Sequence, residues 1–216
     1  MNAIVIVGSI VVVVAGYLMG AIPVGLVVAR KFGGIDIRKY GSGSTGATNI
    51  LRTLGWKASA VVFAGDLAKT MIPVVIAWFV LNSPLVASIT GVAVVAGHCW
   101  PVYAQWSGGR GVTSSLAVLL IVQPLVALGC LAVAAIVMAI SRFVSLGSLA
   151  GVAFGAVVMT VLIVNRSAPL GDVIFVVGAP LVVFLRHREN ILRLLAGTER
   201  KIGQQVKPTK KNPATG

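Results

Sequence analysis

Long apolar runs separated by short polar interruptions set the expected architecture of this chain. The first run goes from about Ile4 to Val28, with Pro23 near its end and Arg30 and Lys31 behind it. A polar segment from Lys31 to Lys57 follows. Runs at about Ala58–Leu81 and Leu85–Trp100 come next, parted by Asn82-Ser83-Pro84. Sparsely charged stretches of this kind read as transmembrane helices, since one crossing takes about 20 apolar residues. Val112–Ile140 is too long for one crossing. Gln123-Pro124 near its middle predicts two short helices in a hairpin, with a single bent helix as the alternative. Runs at about Val144–Val164 and Val173–Leu185 complete the expectation of an all-α integral membrane protein with about seven transmembrane helices. A five-span arrangement is its main rival. Arg186–Leu195 mixes cations and leucines as an amphipathic helix lying along a bilayer surface would. Residues 1–203 read as one membrane domain, and 204–216 as a Lys/Pro-rich disordered tail.

Composition adds direction to this picture. The chain is 57% apolar, holds five acids and carries a net charge of +13. Such a balance could suggest nucleic acid, but the cations sit in the connecting segments. Arg30, Lys31, Arg38, Lys39, Arg52, Lys57, Arg110, Arg142 and the C-terminal cations fall on one side of the expected spans, and only Arg166 on the other. The positive-inside rule then puts the N-terminus outside, the C-terminus in the cytoplasm, and makes nucleic acid an unneeded partner. The first run lacks a basic leader and an early cleavage site, so it reads as a retained span. Cys99 and Cys130, the two histidines and the scattered acids show no metal-ligand spacing, and neither a metal nor a cofactor is expected.

The densest chemistry lies in Gly41-Ser42-Gly43-Ser44-Thr45-Gly46-Ala47-Thr48-Asn49, followed by Arg52. Glycines let backbone N–H groups turn toward an anion, hydroxyls add donors, and the Arg52 guanidinium offers a fork matched to phosphate oxygens. The segment reads as a phosphate-binding loop, against the plainer reading of a Gly/Ser linker. A second cluster, Ser107-Gly108-Gly109-Arg110-Gly111 with Thr113 to Ser115, and a third around His187, Arg188 and Asn190, fall on the same face. Together they describe a basic, donor-rich pocket at a membrane surface, with apolar surroundings that admit a lipid chain. Asp66 and Lys69 share a helix face at i, i+3 within a span, either as a structural ion pair or with Lys69 serving the phosphate pocket. His98 reads more as a helix-end residue bonded to a backbone carbonyl than as a base. Glu189 and Glu199 read as partners of nearby arginines. Gly147, Gly151 and Gly155 form a small-residue ladder for close helix packing.

These motifs, with Gly65-Asp66 and Lys69, Gly97-His98, Pro101-Val102 and His187-Arg188-Glu189-Asn190-Ile191, resemble the bacterial acyl-phosphate-dependent glycerol-3-phosphate acyltransferases nearly end to end. The resemblance implies a multi-pass inner-membrane enzyme, active at the cytoplasmic face. It would move a fatty acyl group from acyl phosphate to the 1-hydroxyl of glycerol 3-phosphate, giving lysophosphatidic acid and phosphate. Membrane lipid and the enzyme that makes acyl phosphate would be its surroundings and partner. Ser44 stands where the family usually has Asn, Thr70 where it has Gly, and Arg110 where it has Lys.

An acyl phosphate is already an activated mixed anhydride, so no covalent nucleophile is needed, only positioning and charge stabilisation. Ser42 and flanking amides would then cradle a phosphate, Arg52 and Arg110 would clamp phosphate charge, and Asn190 and His187 would hold the glycerol hydroxyl or the acyl carbonyl. Gly41, Gly43, Ser44, Gly46, Thr48, Asn49, Lys69, Gly108, Gly109 and Gly111 complete the expected binding set. The hydroxyl proton goes either to a donor phosphate oxygen or to His187. A membrane transporter for an organic phosphate is the rival reading, and an inactive scaffold the blandest. Turnover in excess chelator should match turnover without it, and a loss that Mg²⁺ or Mn²⁺ restores would overturn the metal-free reading.

Overall fold

The structure, a computed structural model, describes residues 3–204. The expected tail from 204 onward lies outside the described residues apart from Gln204. Ten α-helices follow one another: α1 (Ala3–Gly20), α2 (Val24–Gly33), α3 (Ala47–Leu54), α4 (Trp56–Val75), α5 (Pro84–Cys99), α6 (Val112–Val122), α7 (Pro124–Ser141), α8 (Val144–Val164), α9 (Val173–Arg186) and α10 (Arg188–Leu195). A π-helical turn, Ile76–Val80, extends α4. Helices occupy the place of every expected span. Five are long and apolar enough to cross a membrane: α1 with α2, α4 with its π turn, α5 with the turn after it, α7 and α8. Leu170–Arg186 joins them when taken with α10, which leaves it at a 59° bend. The hairpin breaks at Gln123-Pro124 as its sequence predicts, but α6 has only 11 residues. At 1.5 Å per residue that is about 16 Å, half of a bilayer core.

Two details of the first span differ from expectation. Arg30 and Lys31 do not end it; they lie in the last turn of α2, which closes on left-handed Gly34 (φ 63°). Pro23 divides it earlier, turning the Ile22 carbonyl inward. The polar segment after it is also more ordered than its composition suggested, for it contains α3. This short helix buries Ile50 beside Leu26, Ile37, Ala58 and Val62, and that small apolar cluster seats the glycine loop on the bundle.

Close helix approach depends on missing side chains. Gly20 and Gly97 bring α1 and α5 together, where a Cβ would strike Val94 and Tyr17 backbone respectively. The Tyr17 hydroxyl donates to the Trp100 carbonyl at 3.0 Å across this seam. The glycine ladder of α8 packs as expected: Gly147, Gly151 and Gly155 lie on Met138, Ala134 and Cys130 of α7.

At the centre, Lys69 is buried with its ammonium group held on three sides. Its Nζ lies 2.7 Å from Asp66 Oδ1, 2.9 Å from the Ile22 carbonyl and 3.1 Å from His98 Nδ1. The α1–α2 break, α4 and α5 are thus tied to one charge. Removing one member of a buried pair strands the other at a cost of about 3–5 kcal/mol. Asp66→Asn and Lys69→Met should each lower the melting temperature sharply in detergent, and the double variant should regain only part of it, since Ile22 and His98 still lose a donor. Wild-type melting in both single variants would show that the cluster does not hold these helices.

Candidate active site

The glycine loop is folded by Asn49, reaching back from the first turn of α3. Its Oδ1 accepts the Ser42 N–H at 3.1 Å, and its Nδ2 donates to the Tyr40 and Ser44 carbonyls at 3.0 and 2.9 Å. Gly41 and Gly43 take left-handed conformations (φ 61° and 71°), and a Cβ on Gly41 would overlap the Asn49 amide. The amide group of Asn49 is therefore spent on shaping the loop. Gly25 of α2 admits the Thr45 carbonyl where a side chain would block it.

The second glycine cluster is sewn to the first. The Thr45 N–H donates to the Gly108 carbonyl at 3.4 Å, and the Gly109 N–H to the His98 carbonyl at 3.0 Å. Arg186, at the end of α9, donates to the Gly109 and Gly108 carbonyls at 3.2 and 3.3 Å and stacks 5.7 Å over the Trp100 ring. Sequence reasoning missed this pinning role. The His98 side chain also corrects an expectation: it joins Lys69 and Asp66, leaving its backbone carbonyl to hold Gly109.

Between the loops lies a polar cavity of about 100 Å³, lined by Ser42, Ser44, Thr48, Arg52, Arg110 and His187, among others. Gly46, Asn49, Gly111, Asp66 and His98 also reach it. Both helices that begin here, α3 at Gly46 and α6 at Gly111 (φ 83°), start without a side-chain cap. Apart from the Asn49 N–H, which donates to the Gly46 carbonyl at 3.0 Å, their first-turn N–H groups are left for an anion, and the helix dipole adds positive potential at the same ends. A capping Ser or Asp would have consumed them; the glycines at those two positions were the available signal. A wetter pocket of about 430 Å³ adjoins, sharing Ser42, Ser44 and Arg110 and adding Gly43, Gly108 and Asn190. Of the residues expected to bind or react, Gly41, Gly109 and Lys69 stand behind these walls, outside both linings.

Charge is concentrated rather than balanced in this region. Burial lowers the pKa of Arg52 and brings that of Arg110 down to about 10, with Glu199 pulling both the other way. Burial raises the Glu199 carboxyl, but hydrogen bonds from Arg193, Asn190 and Ser145 outweigh it and hold the pKa below its ordinary value. Those contacts measure 2.8, 2.7 and 2.8 Å. Glu189 also lies 3.8 Å from Arg193, so both glutamates partner an arginine as their spacing suggested. The segment carrying Glu199 crosses the site, where the Arg200 carbonyl accepts from Arg52 at 3.4 Å. His187 donates from Nδ1 to the Val183 carbonyl at 2.8 Å, the only role a carbonyl leaves it, so Nε2 is an acceptor. Burial takes its pKa to about 4.

Beside the polar cavity runs an apolar cleft of about 150 Å³ among α6, α7, α8 and α9, with Phe63 of α4 at its side. Val112, Thr113 and Ser148 line both spaces. A helical membrane protein that joins a donor-rich polar cavity to an apolar cleft has the features expected of enzymes or carriers of phosphorylated lipid precursors.

Comparison narrows that class. The family model described as glycerol-3-phosphate acyltransferase matches residues 10–197. The glycerol-3-phosphate acyltransferase of Clostridioides difficile (strain 630) is 42% identical over 201 residues, covering 91% of this chain and 96% of its own. That of Crocosphaera subtropica is 42% identical over 209 residues, covering 92% and 95%. Among solved structures, PlsY (YgiH), an integral membrane glycerol 3-phosphate acyltransferase in its glycerol 3-phosphate form, superposes with a TM-score of 0.83 at 37% identity, covering 91% of this chain and 96% of that one. Its lysophosphatidic acid form gives 0.81 at 36%. The chain belongs to the glycerol-3-phosphate acyltransferase family, whose reaction serves phospholipid synthesis.

The neutral, buried His187 makes stability depend on pH. The unfolded ring takes a proton below its ordinary pKa of 6.5, whereas the folded ring stays neutral down to about 4. Stability is therefore complete above 6.5 and falls as pH drops through that window, by up to about 3 kcal/mol for this group. Melting temperatures between pH 7.5 and 4.5 should decline less steeply for His187→Gln than for wild type. Equal slopes would contradict the buried neutral assignment.

Proposed function

We propose that this protein transfers a fatty acyl group from acyl phosphate to the 1-hydroxyl of sn-glycerol 3-phosphate, releasing lysophosphatidic acid and phosphate. The observation that carries this reading is the junction of the polar cavity with the apolar cleft at Val112, Thr113 and Ser148. There one molecule can put a phosphate among arginines and its chain among aliphatic side chains. Arg52 and the α3 N-terminus hold the phosphate of glycerol 3-phosphate. Arg110, Ser42 and the α6 N-terminus hold the acyl phosphate, so the positive end of α6 meets charge developing on the carbonyl oxygen. The glycerol oxygen attacks the acyl carbon, the bond from that carbon to the phosphate oxygen breaks, and phosphate leaves.

The hydroxyl proton goes to a phosphate oxygen of the donor. A histidine whose pKa is about 4 is a weak base at neutral pH, so His187 Nε2 orients the hydroxyl rather than keeping its proton. Asn190 and Glu199 brace the helix that begins just after His187, and Lys69 acts through His98 and Asp66. A partner enzyme that makes acyl phosphate supplies the donor.

The site faces the cytoplasm of a bacterial inner membrane. Entering α6 and leaving α7 brings Arg110 and Arg142 to one side whether the hairpin crosses fully or only dips. The N-terminus is then outside, the C-terminus inside, and the seven helical passes include a half-length α6. The distribution of cations supports this orientation.

Arg52 carries the test. Charge-assisted hydrogen bonds contribute about 1.5–3 kcal/mol, so Arg52→Ala should lower kcat/KM for glycerol 3-phosphate by about ten- to a hundredfold or more. Arg52→Lys should recover only part, because an ammonium cannot reproduce the fork. The acyl phosphate KM should stay nearly constant, and Arg110→Lys should be mild. Steady-state kinetics on variants of wild-type melting temperature decide it. A rise confined to the acyl phosphate KM would exchange the two phosphate assignments, and normal turnover would remove the loop from the site.

A further inference from the structure

We propose that the cleft among α6–α9 is a ruler for acyl length, with Met159 and Phe175 as its floor; this rests on the acyl-transfer reading above. Every helix around the cleft runs between the polar cavity and a closed far end. The lining residues most distant from the cavity are Leu119 on α6, Cys130 on α7, Met159 on α8 and Phe175 on α9. All four are buried, Met159 at 1% exposure and Phe175 at 4%. Beyond them Val122, Val126 and Ala127 continue the same packed cluster.

Depth can be read from the helix that lines the cleft longest. Ser148, at the shared mouth, and Met159 are separated by eleven steps of α8, or about 16 Å at 1.5 Å per residue. An extended chain advances about 1.2 Å per bond, as the roughly 3.5 Å span of three backbone bonds shows. The cleft therefore takes about thirteen bonds, an acyl chain of about 14 carbons, before its end meets the thioether. Gly155 keeps the wall thin one turn above the floor: a Cβ there would lie 2.7 Å from Cys130 Sγ and 3.5 Å from Leu119 Cδ1. Ala156, eight steps from Ser148, lines the same channel at about 12 Å.

Two substitutions move the ruler in opposite directions. Met159→Ala removes the floor and should raise the preferred length by about two carbons, and Ala156→Phe should lower it by two to four. Each is measured in two ways on the purified full chain in detergent. Thermal stabilisation by lysophosphatidic acids of 10 to 18 carbons reports occupancy of the cleft whatever the acyl donor is. Turnover of acyl phosphates of the same lengths with glycerol 3-phosphate reports the reaction. The expected result is a wild-type maximum near 14 carbons that shifts as stated in both measurements. If Met159→Ala does not fold, Ala156→Phe alone decides, since it fills space without opening the core. A flat wild-type profile, or a maximum that stays put in a folded variant, overturns the ruler. Shifting lysophosphatidic acid profiles with no turnover of any acyl phosphate would uphold the ruler and remove the proposed donor.

Discussion

One buried ammonium group sets the geometry on which the site depends. Lys69 donates to the Ile22 carbonyl and to His98 Nδ1 and forms an ion pair with Asp66. Because Nζ donates to His98 Nδ1, the ring presents Nε2 toward Gly109, which has no room for a side chain. Gly109 is held in turn by the His98 backbone and by Arg186, and its neighbour Gly108 accepts from Thr45 of the glycine loop. A charge sunk within one span thus fixes, through a few contacts, the relative position of two loops far apart in sequence. Each link is short and directional, so a displacement at Lys69 reaches both loops with little slack.

Above that framework the electrostatics are deliberately unequal. Arg52, Arg110, Arg186 and Arg193 converge on a region where Glu199 is the carboxylate that acts on Arg52 and Arg110, Asp66 being paired with Lys69. Glu199 spends its oxygens on Arg193, Asn190 and Ser145, so it steadies the arginine cluster without closing salt bridges to Arg52 or Arg110. Burial and the neighbouring arginines depress the pKa of Arg110, a half-buried cation that an anion would complement. Uncapped helix N-termini at Gly46 and Gly111 add to it. In the proposed reaction that surplus offsets the repulsion between two phosphorylated substrates.

Much of this was legible in the sequence because its signals are local. Apolar runs placed the helices from Trp56 to Arg186 within a few residues, Gln123-Pro124 marked the hairpin break, and Asp66 and Lys69 paired at their helical spacing. What escaped detection was either disguised or long-range. The α3 helix hides in polar residues because it buries only one narrow face, around Ile50. α6 reads as a span from its hydropathy, yet half-length apolar helices are stable when surrounded by protein. Asn49 resembles a ligand in sequence and works as a loop brace, since its partners lie within nine residues but only after the loop has turned. The pairing of Arg186 with Gly108 and Gly109 spans 77 and 78 positions and has no sequence signature.

The same architecture separates transfer from transport. A carrier of organic phosphate needs a site near the bilayer midplane that each face can reach in turn, commonly between repeated halves and broken helices. Here the anion-binding groups come from helix ends, the starts of α3 and α6 and the close of α9, so they gather at one end of the bundle. Below them the interior is closed by packed Val74, Val95, Val118 and Phe175, which leaves an anion no path onward. Toward the bundle interior the polar cavity meets the apolar cleft, and a phosphate entering it would lose every donor it had. A hydrocarbon chain meets no such cost. The two spaces therefore suit opposite ends of one molecule, and in the proposed reaction their shared rim at Val112, Thr113 and Ser148 receives the carbonyl between those ends.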